Sequence, residues 1–332
     1  MAEFLTFDTD LTAVANAIRA KGGTSAQLIY PSGFVSAIQA IQTGITPKLV
    51  VTTTPGAAIT ATPAEGFKIV KGTADTNGTC TLELPKAGTW DVTAMANGVS
   101  NRQRIVIGTQ SMLLPLYHDT FADNTWAEII AVCKTGVIPD SWAVGDSKPM
   151  AINGTNYQID IIGKNHDVYA DGSGTAPLTF QLHDCYAYTN QMNSSGTNSG
   201  GWASCAMRQV YLPSILLRMP AEVQSGIRAV SKNATTGDKS TTIETVSDKL
   251  FLLSEIEVFN TTTYSAAGEG TQYDYYKNGG AKIKKTESTA ILWWERSPDL
   301  TRYDTFCGVN ASGYATTAGA NTQNGISFAF CF

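Results

Sequence analysis

The sequence predicts a multidomain α+β protein with a helical N-terminus, a small β-sandwich and a larger C-terminal domain of mixed helices and strands. Three observations carry this expectation. Apolar residues follow helical spacing over 1–46, alternate with a period of two over 47–110, and mix both periods over 111–332.

In the first segment Leu11, Val14, Ala15 and Ile18 share one helical face after Asp10, a residue suited to an N-cap, and the run ends at Gly22-Gly23. Phe34, Ile38 and Ile41 mark a second helix before Gly44. Neither helix carries enough apolar surface to fold alone. The segment is therefore expected to pack on a neighbouring subunit or larger particle, or to cover the next domain as a short hairpin. In the second segment, residues 49–51, 67–70, 80–84, 90–94 and 104–107 read as strands. Pro55-Gly56, Asn77-Gly78 and Asn97-Gly98 supply the turns, because Asn and Gly tolerate positive φ. Strands at such short spacing indicate a sandwich.

In the third segment Asn124-Thr125 caps a helix through Cys133 that turns Trp126, Ile129, Ile130 and Cys133 inward. Residues 157–163, 178–182 and 250–253 read as strands, and 203–218 as a helix stopped or kinked by Pro213. At the C-terminus Ile326, Phe328, Phe330 and Phe332 alternate with Ser327, Ala329 and Cys331, which predicts a strand with one face in the core. Trp293 and Trp294 form the other wall of this frame, and Ser297-Pro298 fixes the turn out of their strand. Each large side chain buried there contributes about 1.5–3 kcal/mol.

Between these walls, 299–324 is almost all Asp, Thr, Tyr, Asn, Ser, Ala and Gly, the composition of a recognition surface. The candidate contact residues are Glu295, Asp299, Thr301, Arg302, Tyr303, Asp304, Thr305 and Asn310, followed by Ser312, Tyr314, Thr316, Thr317, Asn321, Thr322, Gln323 and Asn324. Exposed substitutions there should each change stability by only about ±0.5 kcal/mol.

Charged residues make up 15% of the chain, against a usual share of about 25%, and the net charge is −5. That balance excludes nucleic acid as the expected partner, which needs clustered Lys and Arg. The short run Lys282-Ile283-Lys284-Lys285 reads as a solvated strand end. No stretch approaches the roughly 20 apolar residues that span a bilayer, so no membrane insertion is expected. Met1-Ala2-Glu3-Phe4 lacks the charge and apolar core of a secretory signal peptide. The six cysteines include no C-x-x-C pair and read as buried thiols; if a bridge formed, Cys307 and Cys331 would be the pair.

Adjacent residues on a strand face opposite ways, so His166-Asp167 and His183-Asp184 read as structural rather than chelating. Asp167, Asp171 and Asp184, with Gly172 and Gly174, offer a calcium loop without the regular acidic spacing of a dedicated one, so no cofactor is expected and calcium is the one ion to consider. No G-x-S-x-G signature occurs. The runs 193–199 and Gly200-Gly201-Trp202 read as a solvated polar loop, with a second contact surface as the alternative, while Tyr264, Tyr273, Tyr275 and Tyr276 either extend the recognition surface or mediate subunit packing.

Residues 85–94 resemble the closing strands of immunoglobulin-like, carboxypeptidase-regulatory-like modules, whose usual role is spacing or adhesion. Trp142-x-Val144-Gly145-Asp146, the runs 162–167, 176–180, 201–208 and 246–255, and Trp293-Trp294-Glu295-Arg296-Ser297-Pro298 occur in order. The series resembles the C-type-lectin-like domains that end many tail-fibre and adhesin proteins of gut bacteriophages and prophages. Residues 11–24 are similar to the N-termini of such phage structural proteins; together the likeness covers roughly 1–35 and 116–332.

The resemblance implies a virion protein made in the host cytoplasm and assembled as a homotrimer. Its N-terminus would join other tail proteins, and its surface at 295–327 would bind a protein or glycan of the host cell. In some relatives, as in the major tropism determinant of phages, a diversity-generating retroelement mutates adenines, so Asn codons never yield Lys, Glu, Met or Trp. None of those four occurs in 299–324, although Gln323 departs from the reachable set. The formylglycine-generating oxidases share a similar fold, but they need a reactive cysteine site. Cys331 lies in an apolar strand where an inert thiol is expected, so no enzyme is predicted. A bacterial surface adhesin of the same fold is the competing expectation.

Overall fold

The structure, a computed structural model, describes residues 8–22, 46–64, 66–107 and 110–332. It is mixed α+β and mostly sheet, and the chain divides after Leu116 into two compact units. The expected second helix around Phe34, Ile38 and Ile41 lies outside the described residues.

The first unit opens with the helix Asp8–Gly22, in which Ala15 and Ile18 are buried and Val14 is exposed. Asp10 therefore lies inside the helix, not at its cap. Seven strands follow: β1 (Lys48–Thr52), β2 (Ala58–Pro63), β3 (Val70–Thr73), β4 (Thr79–Glu83), β5 (Gly88–Ala96), β6 (Val99–Ile107) and β7 (Gln110–Leu113). They form two sheets, β4-β1-β7 and β3-β2-β5-β6, that share one core including Leu49, Val51, Ile59, Leu82, Trp90 and Val92. A Cβ on Gly72 of β3 would lie 2.5 Å from the Cys80 sulfur of β4, so the close approach of the two sheets requires glycine there. Asn97 and Gly98, with φ of 51° and 80°, close the two-residue turn between β5 and β6, as their sequence predicts. The expected strand at 67–70 is absent except for its last residue. Phe67 and Ile69 are exposed, and pairing with β2 begins only at Val70. Strand β7 pairs parallel to β1 and leads Leu114 and Leu116 into the core, which carries the first unit past residue 110.

The second unit is built on an antiparallel sheet in the order β13-β19-β10-β9-β8, with β8 at Ser147–Ile152, β9 at Thr155–Lys164, β10 at Leu178–Leu182, β13 at Leu250–Phe251 and β19 at Ala329–Cys331. The helix Trp126–Cys133 begins with a capping box: Thr125 accepts from the Glu128 N–H while the Glu128 carboxylate accepts from the Thr125 N–H. It buries Trp126, Ile129, Ile130 and Cys133, as the spacing requires, and sets Trp126 edge-on to Phe180 at 5.8 Å.

Strand β19 departs from the one-faced expectation, because every residue from Ile326 to Phe332 is buried. It lies between β13 and β10, with Phe330 and Phe332 against Phe180 on one face. The small residues facing the other way are covered too; the Cys331 sulfur sits 3.5 Å from the Thr179 hydroxyl. The helical stretch expected at 203–218 is three short pieces, Gly201–Ser204, a π-helical turn Met207–Tyr211, and Leu212–Leu216. Pro213 lies in the first turn of the last piece, where a missing N–H costs no hydrogen bond, so it starts that helix and does not stop one. The apolar run 250–253 is strand only through Phe251, because Ser254 caps the helix Glu255–Phe259.

Beside this sheet lie the ribbon of β11 (Val230–Thr235) and β12 (Ile243–Asp248), the hairpin of β14 (Lys284–Thr286) and β15 (Thr289–Ile291), and a three-stranded sheet of β16 (Trp293–Pro298), β17 (Thr305–Val309) and β18 (Ala315–Gly319) in that order. Lys284 is not the solvated strand end expected. It is buried, donates to the Leu182 and His183 carbonyls at 2.7 and 2.8 Å, and burial pushes its pKa down to about 8. All six cysteines are buried and unbridged.

An ionic network runs through the interior. Arg296 grips Glu257 with both arms of its guanidinium, at 2.6 and 2.9 Å, and donates to the carbonyls of Asn233 and Leu252. Lys232 bridges Glu257 and Asp167 at 2.7 and 2.8 Å, and the Tyr273 hydroxyl joins Lys232 and Asp167. Burial alone would raise both carboxyls, but the cations outweigh it: Asp167 sits at about 2 and Glu257 below its usual value. Arg296→Ala leaves Glu257 buried with one cation where it had two, and is expected to cost about 3–5 kcal/mol in urea unfolding of the full chain. A loss under about 1 kcal/mol, the size of an exposed pair, would mean that water reaches this site.

Candidate functional site

The candidate surface rests on β16 (Trp293–Pro298), β17 (Thr305–Val309) and β18 (Ala315–Gly319). Every residue of β16 and β17 is buried, whereas β18 is half-buried and forms the edge of the sheet. Both tryptophans of β16 are fully buried, and each indole N–H has a carbonyl partner, Lys282 for Trp293 and Asn190 for Trp294. A rigid floor thus carries three exposed segments: the 301–304 loop, the 310–314 hairpin tip and the 321–324 loop.

Most candidate residues reach this surface. Thr301, Arg302, Tyr303, Ser312, Tyr314, Asn321, Thr322 and Gln323 are exposed, and Asp304, Asn310, Thr316, Thr317 and Asn324 are half-buried. Tyr303 and Tyr314 are its aromatic residues, at 58% and 70% exposure. Arg302 and Asp304 form a bidentate pair at 3.0 and 2.9 Å in solvent. Asn310 accepts from the N–H groups of Ser312 and Tyr314, which fixes the shape of the hairpin tip.

Three candidates do not reach it. Asp299 and Thr305 are buried and staple the first loop: one Asp299 oxygen accepts from the Thr301 N–H and hydroxyl at 2.7 and 2.8 Å, the other from the Thr305 hydroxyl at 2.8 Å. This carboxylate, not Ser297-Pro298, makes the turn, because Pro298 is still in β16 opposite Phe306. Glu295 points into the interior, and neither of its carboxyl oxygens has a hydrogen-bond partner among the described residues. Burial, reinforced by Glu255 and Glu269, pushes its pKa far up and favours the neutral acid.

The main positioning residue was not legible in the sequence. Asn198, in the run expected to be a solvated loop, is fully buried. Its side chain donates to the Arg302 and Thr305 carbonyls at 2.8 Å each and accepts from the Asp238 N–H at 2.8 Å, while its own N–H donates to the Tyr303 carbonyl. One amide thereby ties three loops together. Gly237 makes room for it: φ is +73°, and a Cβ there would lie 1.8 Å from the Asn198 carbonyl oxygen. Nothing in a run of Asn, Ser and Gly marks which Asn will be interior.

The other candidate chemistries disperse. His166 stacks on Tyr273 at 4.0 Å, and His183 pairs with Asp160 at 2.7 Å. Asp167 belongs to the ionic network, Asp171 pairs with Arg228, and Asp184 accepts from the Lys285 N–H. Among the described residues no three His, Cys, Asp or Glu side chains are placed to hold a metal. Cys307 in β17 and Cys331 in β19 are fully buried, and burial raises both thiols well above their usual range. Tyr273 and Tyr276 are buried and hydrogen-bonded, so this part of the tyrosine-rich stretch does not extend the surface. No helix among the described residues is long and apolar enough to cross a membrane.

Glu295 has a pH signature. Its folded pKa lies above the unfolded value of 4.5, so its stabilising contribution is full below 4.5 and is lost as pH rises toward the folded pKa. Glu295→Gln keeps the neutral shape at every pH. The variant should therefore gain on the wild type by up to about 1.4 kcal/mol per pH unit above that value. Urea unfolding at pH 5, 6 and 7 measures the difference; a constant difference would show a normally titrating carboxyl.

Residues 178–332 match a family model described as a domain of unknown function (DUF6273). The matched stretch starts at the first residue of β10, so it holds β10, β13 and β19 of the central sheet but not β8 or β9. No curated protein and no solved structure matches the chain.

Proposed function

We propose that this chain is a phage tail receptor-binding protein whose surface at 301–304, 310–319 and 321–324 contacts a protein or glycan on the host cell. The observation that carries the reading is the division of labour in 295–324. The inward residues Glu295, Asp299 and Thr305 belong to the floor, while exposed Tyr, Thr, Asn and Ser side chains make few bonds to it. Such a surface can change its side chains without changing its backbone, which suits diversification by a retroelement at the exposed positions.

In this reading the second unit is a C-type-lectin-like domain, and the seven-stranded part of the first unit is an immunoglobulin-like spacer. The N-terminal helix joins other tail proteins, and the particle carries the protein as a homotrimer, which multiplies weak single-site binding. Light scattering that gave a monomer at micromolar concentration would remove the trimer from the proposal.

Tyr303→Ala and Tyr314→Ala test the surface. Each is expected to weaken binding to a panel of gut bacteria about tenfold or more, the loss of one aromatic anchor, while stability changes by no more than about ±0.5 kcal/mol. Undiminished binding in both variants would move the contact elsewhere.

A further inference from the structure

A concavity of about 500 Å³ opens in the second unit, with Asn153, Tyr186, Tyr188, Asn190, Tyr211 and Arg218 among its lining residues. Its aromatic wall is graded from fixed to free. Tyr186 is buried and stacked on Tyr157 at 5.4 Å, and Tyr188 leans on Tyr186 at 5.8 Å while remaining 61% exposed. Tyr211 is the last residue of the π-helical turn, a rare conformation that recurs at functional sites.

The polar groups around this wall are unspent. The side-chain amides of Asn153 and Asn190 and the hydroxyls of Tyr188 and Tyr211 have no hydrogen-bond partner among the described residues. Arg218 is exposed and makes one long contact, 3.5 Å, to the Tyr186 hydroxyl. Their backbones, in contrast, are fixed. Asn190 and Asn324 exchange N–H···O bonds at 3.1 Å, Tyr186 donates to the Ile326 carbonyl, and Asn153 donates to the Arg218 carbonyl. No Asp or Glu lines the cleft.

We propose that this cleft binds a saccharide. The negative face of a tyrosine ring attracts the C–H face of a pyranose, and free amides offer a donor and an acceptor to neighbouring sugar hydroxyls. The guanidinium of Arg218 adds directional donors for ring or exocyclic oxygens. The volume suits a small ligand, and the mixed polar and aromatic lining disfavours a purely apolar one. Since no carboxylate faces the cleft, recognition proceeds without a bridging calcium ion. The residues that line the cleft all lie outside 301–324, and the inference does not depend on the receptor-binding reading.

The test uses the full chain titrated with chitotriose, maltotriose and trigalacturonate, read by saturation-transfer NMR. At least one of the three should bind saturably, unaffected by EDTA and unchanged in Tyr303→Ala. Tyr188→Ala should weaken that binding about tenfold or more, and the milder Tyr211→Phe should weaken it measurably, with circular dichroism unchanged in both. No saturable binding of any of the three, or equal binding in wild type and both cleft variants, overturns the proposal. Saccharide binding lost in the cleft variants while cell binding persists would separate this site from the one at 301–324.

Discussion

The grip of Arg296 on Glu257 is the interaction on which the second unit depends. Removing two charges from water costs several kcal/mol for each, so such a pair persists only where nearly every lone pair and proton is matched. Here the matching partners come from distant parts of the chain: β11 through Lys232 and the Asn233 carbonyl, the segment ahead of β10 through Asp167, and Tyr273. The network therefore locates β16 relative to β11 and the capped helix Glu255–Phe259. Once β16 is placed, β17 and β18 follow by backbone pairing, and the exposed loops follow from them.

Polar side chains bonded to loop backbone perform the same service at smaller scale. Asn198, Asp299 and Asn310 use their hydrogen-bonding capacity on loop backbone, so the exposed side chains above them carry little responsibility for the loop's shape. That arrangement separates the stability of the loops from the identity of their exposed side chains. It also changes the meaning of the chain's low charge content. Asp167, Lys232, Glu257, Lys284, Glu295 and Arg296 are all interior, so part of an already small charged complement is structural.

Local signals were legible where a single neighbourhood decides the outcome. The cap at Asn124-Thr125, the Asn97-Gly98 turn and the strands β9 and β10 follow from residues a few positions apart. The buried tryptophans of β16 were legible because large aromatic surface has few alternatives to a core. Signals failed where two options share one local pattern. The alternation at 67–70 finds no partner for its first residues, and Lys284 looks like any basic strand end until the Leu182 and His183 carbonyls are brought to it.

The sequence by itself determined the α+β class, the main changes of periodicity along the chain and the approximate place of the candidate surface. Periodicity and capping are short-range, so they survive without knowledge of the fold. Only the tertiary structure decided which polar residues face in. Glu295, Asp299, Thr305 and Asn198 have the composition of a surface, yet each is interior because strands and loops remote in sequence close over it. Burial of a polar group depends on whether long-range partners or packing can meet its desolvation, and that depends on contacts no local pattern records.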